Sequence, residues 1–167
     1  MMFAAWPDGS FDLAGDLARC ALGRGGVKPA REKREGDGAS PAGTWAMRRV
    51  LYRPDREPPP ETQLYVQALK SDDGWCDDPN DRAYNMPVKL PYPGRHEALW
   101  RDDPLYDLIV VLAYNDEPVR KGRGSAIFLH LAKPGFEPTE GCVALSRADM
   151  GKLLRKAQPG SSLTIHL

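Results

Sequence analysis

Glycine and proline interrupt this chain so often, 16 times each in 167 residues, that they limit what it can fold into more than any other feature. Proline withholds a backbone donor and glycine admits turn conformations, so such punctuation favours short strands joined by turns over long helices. The longest apolar runs, Leu108–Tyr114 and Ala126–Ala132, are of strand length. Neither approaches the ~20 apolar residues that a membrane-crossing helix needs. A mainly β fold in one domain spanning 1–167 is expected, long enough to bury a core.

Read along the chain, Phe3–Trp6 and Phe11–Leu13 flank a Pro-Asp-Gly-Ser turn, and Leu17–Leu22 makes a third strand. The glycine-rich segment 35–43 predicts a tight loop. A strand over Thr44–Arg53 follows, with Trp45, Met47 and Arg49 on one face. Pro54–Thr62 reads as an extended connector. Residues 71–96 are acidic and broken by prolines, yet they carry Trp75, Tyr84 and Tyr92. They are expected to form an ordered but irregular excursion over the surface. Leu105–Tyr114 and Ser125–Leu131 read as buried strands. Ser146 with Asp149 three residues on signals a helix start. Met150, Leu153, Leu154 and Ala157 then fall on one helical face until Pro159-Gly160 ends it. Ser162–Leu167 alternates like a final strand.

Charge and cysteine usage exclude several classes. Lys plus Arg and Asp plus Glu both total 23, leaving no basic excess for a nucleic-acid partner or an anionic membrane surface. Cys20, Cys76 and Cys142 are odd in number and form no C-x-x-C pair, so neither a disulfide framework nor a metal site is expected. Met1–Trp6 is a short apolar run with no basic residue ahead of it, unlike a secretory signal. As written the chain is expected in the cytoplasm; a trimmed leader would place it in the periplasm. The sequence leaves the oligomeric state open.

Nucleophilic chemistry has one good location. Of the three histidines, His166 alternates with the apolar residues of the last strand and reads as solvent-facing. His96 lies beside the irregular excursion. His130 is different: it ends the apolar run Ala126-Ile127-Phe128-Leu129-His130, and Thr139-Glu140-Gly141-Cys142-Val143-Ala144-Leu145 follows within a dozen residues. A buried cysteine is more often inert than reactive. Here Gly141 lets the backbone turn its N–H groups towards a developing oxyanion, and an adjacent imidazole would take the thiol proton. Cys142 as nucleophile and His130 as base is the expected pair.

Gly124-Ser125-Ala126-Ile127-Phe128-Leu129-His130 followed by Thr139-Glu140-Gly141-Cys142-Val143 resembles the active-site segment of L,D-transpeptidases of the YkuD type. Gly36-Asp37-Gly38-Ala39-Ser40-Pro41-Ala42-Gly43 is similar to a glycine-rich turn earlier in that domain. The resemblance implies a β-sandwich-like catalytic domain with a short helix after the cysteine, and no cofactor. It implies acyl transfer on peptidoglycan stem peptides or muropeptides: Cys142 attacks the L,D bond, D-alanine leaves, and a thioester is resolved by an amine or by water. Two positions depart from the family pattern. Glu140 stands where histidine is usual, and Ala144 where arginine is frequent. Glu140 is expected either to favour a substrate ammonium or to be a solvated loop carboxylate. Thr139, His96 and Trp100 are further candidates for substrate binding. Hydrolysis as an L,D-carboxypeptidase in muropeptide recycling suits a cytoplasmic location. The alternatives are a non-catalytic domain of the same fold that binds peptidoglycan peptides, and an unrelated thiol amidase.

Overall fold

The computed structural model describes all 167 residues. Strands β1 (Met2–Ala5), β2 (Ser10–Asp12) and β3 (Leu17–Ala21) form an antiparallel meander. β4 (Val27–Pro29) runs parallel to the start of β5 (Ser40–Tyr52), the longest strand at 13 residues. β6 (Val66–Ala68) lies along the far end of β5. After a separate small sheet come β10 (Leu108–Leu112), β11 (Phe128–Leu131), β12 (Val143–Leu145), helix α1 (Arg147–Lys156) and β13 (Ser162–Ile165).

The main pairings close on themselves. The order β10-β11-β12-β3-β2-β1-β13-β5 returns to β10 because β5 pairs with β13 through its first half and with β10 through its second. The fold is thus mostly β and barrel-like, with one short helix. Its interior holds Phe3, Phe11, Val50, Leu129, Leu145, Met150 and Leu163, all essentially without exposure. Apolar side chains of α1 cover one side, and the helix starts as expected: the Ser146 hydroxyl accepts the Asp149 N–H at 3.1 Å.

A second apolar cluster packs on the outer face of the same strands. Leu108, Val110 and Leu112 point into the main core, whereas Ile109 and Val111 meet Leu51, Trp75, Leu99 and Phe128. β10 is covered on both faces, which is why its sequence is an unbroken apolar run. The outer cover is the segment expected to be irregular. It contains a three-stranded antiparallel sheet, β7 (Asp73–Cys76), β8 (Pro87–Lys89) and β9 (His96–Ala98), in the order β8-β7-β9. These strands are too short for a period-2 pattern to register, so the sequence shows order there without its form.

The expected single face of Trp45, Met47 and Arg49 is also corrected. The β5–β10 register steps over Arg48, pairing Leu112 with Met47 and Val111 with Arg49. This bulge reverses the alternation. Met47 and Val50 enter the main core, and the Arg49 guanidinium turns outward to lie 5.8 Å from the Trp75 ring centre. The glycine-rich loop ends earlier than expected, since Ser40–Gly43 already belong to β5.

Candidate active site

β11 and β12 are parallel neighbours, pairing Leu129 with Val143 and His130 with Ala144. Leu129, Leu131, Val143 and Leu145 face the main core. The alternate residues face outward, so continuing the register one step back puts Cys142 beside Phe128, on the face that carries His130. Strand rise and spacing set such diagonal neighbours about 8 Å apart between Cα atoms, close enough for their side chains to approach. Cys142, His130 and Ala144 all line one cavity of about 450 Å³.

Two backbone groups hold the sulfur. The Phe128 N–H donates to Sγ at 3.4 Å, and the thiol donates to the Ala126 carbonyl at 3.1 Å. Ala126 sits in the left-handed region, φ 54°, which costs an L-residue about 1–2 kcal/mol. Asn85 holds it there: its Oδ1 accepts the Ala126 N–H at 2.9 Å, while its Nδ2 donates to the Tyr114 and Asn115 carbonyls. Burial pushes the Cys142 thiol up to about 12; the Phe128 N–H opposes this, and the charge of Glu97 adds to it. At rest Cys142 is therefore a protonated thiol.

His130 is buried, and its Nδ1 lies 2.8 Å from the Leu131 carbonyl. A carbonyl only accepts, so Nδ1 carries the hydrogen and Nε2 keeps the lone pair. Burial lowers the imidazole pKa below its usual value, against the Leu131 carbonyl, and Arg101 adds to the lowering. The ring is neutral at pH 7. No hydrogen bond joins it to the sulfur in this resting arrangement.

The loop before Cys142 is tightly held. Gly141 has φ 138°, and a Cβ there would lie 2.8 Å from the Ala39 carbonyl oxygen, so the glycine-rich segment and this loop meet only because position 141 is glycine. Its carbonyl accepts the Ser40 hydroxyl at 2.8 Å, and its N–H donates to the Thr139 hydroxyl at 3.0 Å. That hydroxyl in turn donates to the Cys142 carbonyl at 2.6 Å. Thr139 thus braces the turn. With the Gly141 N–H engaged, the N–H of Cys142 itself is a free donor at this corner, since it has no intramolecular partner. Glu140 reaches the cavity rim, but Arg24 grips both of its oxygens at 3.1 and 2.9 Å. Arg24 thus supplies a counter-charge to Glu140 on the exposed rim.

Two further expectations are displaced. His96 does not line the cavity; its Nδ1 lies 2.8 Å from the Gly94 carbonyl, and its ring meets Tyr92 edge-on. Trp100 is outside it too, covered by the Arg53 guanidinium at 3.8 Å. Their neighbours Glu97 and Arg101 line the cavity instead. In β9 the alternation of an extended strand turns Glu97, not His96, towards the cavity; Trp100 and Arg101 lie in the bend that follows. His166 is exposed and stacks on Trp6. Tyr106, buried between Phe128 and His130, was also missed; its hydroxyl donates to Glu97 at 2.7 Å.

The family model of the L,D-transpeptidase catalytic domain, YkuD, matches residues 2–165. The chain belongs to this family. Its architecture is mostly β with a single short α-helix. A solved structure, L,D-transpeptidase 3 from Mycobacterium tuberculosis in complex with a faropenem-derived adduct, is similar at 13% identity with a TM-score of 0.48. The match covers 99% of this chain and 60% of that one. No curated protein matches. In this L,D-transpeptidase-family chain no helix is long and apolar enough to cross a membrane.

Proposed function

We propose that this chain is a cysteine acyltransferase acting on the L,D bond of peptidoglycan tetrapeptide stems, with Cys142 as nucleophile and His130 as general base. One observation carries this reading: the Leu131 carbonyl fixes the His130 tautomer so that Nε2 is the free base, on the same sheet face and in the same cavity as the Cys142 thiol.

Because both groups are neutral at rest, the proton moves during attack rather than before it. As Sγ bonds to the substrate carbonyl carbon, its proton passes to Nε2. The carbonyl π pair moves to oxygen, where the unpaired Cys142 N–H donates to the oxyanion. When the tetrahedral intermediate collapses, the C–N bond breaks and the His130 imidazolium protonates the departing D-alanine nitrogen. A thioester on Cys142 remains. His130 then takes a proton from water or from an acceptor amine, which attacks the thioester and restores the thiol. Water gives L,D-carboxypeptidase activity and an amine gives a cross-link.

Incubating the protein with purified disaccharide tetrapeptide, with and without an acceptor stem, distinguishes the two acceptors by product mass. Release of D-alanine in either arm is the expected result. Intact tetrapeptide in both contradicts the proposed reaction.

A further inference from the structure

The cavity beside Cys142 is lined by many charged side chains, and most are already matched. Lys33 is held by Asp37, Arg95 by Asp77 and Arg101 by Asp103, while Arg24 neutralises Glu140 at the rim. Lys133 and Glu137 carry opposite charges on the exposed edge. Glu97 is left over. It is half-buried in the cavity wall and forms no ion pair. Its one side-chain partner is the Tyr106 hydroxyl, which binds Oε1 at 2.7 Å and fixes the direction of the carboxylate. Tyr106 in turn packs edge-on against His130, so the carboxylate is positioned relative to the catalytic base through one rigid ring.

Leaving a carboxylate without a cation in a partly desolvated wall is costly. Burial pushes the Glu97 carboxyl up to about 6, against the Tyr106 hydroxyl and the charge of Arg101, which forms no ion pair with it, while Asp77 and Glu35 add like charge. At pH 7 it is still mostly ionised, and its charge reaches the Cys142 thiol. Glu35 stands in the same cavity with Oε1 bound only by the Tyr84 and Ser125 hydroxyls. The inner wall therefore has an excess of negative charge, next to the nucleophile.

We infer that Glu97 is a specificity-determining residue that binds an aliphatic ammonium group of the acyl donor. This rests on the acyl-transfer reading above. An ammonium supplies the missing counter-charge to Glu97 and donates to the oxygen that Tyr106 leaves free. While bound it also offsets the like-charge effect of Glu97 on the thiol.

The test measures binding rather than turnover, by calorimetry on the Cys142→Ala protein. Two tetrapeptides with diaminopimelate as third residue are compared, one with a free distal amine and one with that amine acetylated. Acetylation should weaken binding roughly tenfold or more, as expected for a charge-assisted contact. Adding Glu97→Gln, which keeps an acceptor for Tyr106, should bring the free-amine peptide down to the acetylated level. The acetylated peptide should change by less than about twofold. Matching thermal midpoints show that Gln is tolerated. Equal binding of the two peptides, or equal losses on both in the variant, overturns the assignment of Glu97 and leaves the acyl-transfer reading standing. No binding of either peptide to the Cys142→Ala protein overturns both.

Discussion

Burial acts in opposite chemical senses on the two members of the Cys142–His130 pair, because each is uncharged when dry. It raises the thiol pKa and lowers the imidazole pKa, so the neutral pair is the resting state. This differs from a preformed thiolate–imidazolium pair in two measurable ways. The acid limb of kcat/KM should have its midpoint below the ~6.5 of an ordinary histidine, since activity needs neutral His130 and protonation removes the base. Alkylation of Cys142 by iodoacetamide should accelerate only at alkaline pH. A plateau of fast alkylation from pH 5 upward would mean a resting thiolate. His130→Gln keeps an acceptor and much of the ring's bulk but cannot relay a proton. It should lower kcat on the order of 10²-fold or more, whereas His166→Gln, stacked on Trp6 away from the cavity, should not. Equal losses in the two variants would contradict the assignment of His130. Cys142 and His130 stand out in the sequence as candidates, because a histidine ending an apolar strand and a glycine–cysteine turn are local patterns. Glu97, Tyr106 and Asn85 are not, since each matters through a partner far away in the chain.

Among the elements, the turn from Lys33 to Asp37 supports the site most directly, for it presents Ala39 and Ser40 to Gly141. Lys33 is only 3% exposed, and its ammonium donates to Asp37 Oδ1 at 2.7 Å. Burial raises the Asp37 carboxyl, but Lys33 and the Ala39 and Arg34 N–H groups outweigh it and hold it at about 2. Asp37→Asn leaves a buried ammonium without its counter-charge and should cost about 3 kcal/mol in urea unfolding. A folded pKa below the unfolded one means stability that is whole above about pH 4 and lost as pH falls towards 2. The gap between wild type and variant should therefore narrow over that range. A constant gap would show that Asp37 acts through packing alone. The sequence marks residues 35–43 as a tight loop but gives no sign of the ion pair that Asp37 makes with Lys33. Other elements divide in the same way. Helix α1 was legible because cap, apolar face and terminator all lie within 15 residues of one another. The bulge at Arg48 and the β7–β9 sheet were not, because register depends on the partner strand.

For the whole molecule, closure of the sheet depends on β1 pairing in parallel with β13, Met2 beside Ser162, across almost the full length of the chain. No local pattern encodes that pairing, so composition and turns indicate a mainly β fold without its barrel closure. Through β5 the closed sheet and the outer cluster become one support, and the cavity lies where β11, β12 and the small sheet meet. On the proposed function, this support presents Cys142 as an acyl-forming nucleophile to a stem peptide. Intact-protein mass spectrometry, after brief mixing with disaccharide tetrapeptide and an acid quench, would capture that acyl-enzyme. The expected result is a mass gain equal to the peptide less D-alanine, mapping to Cys142, absent in Cys142→Ala and accompanied by free D-alanine. Release of D-alanine by Cys142→Ala, or an adduct on Cys20 or Cys76 instead, would contradict it.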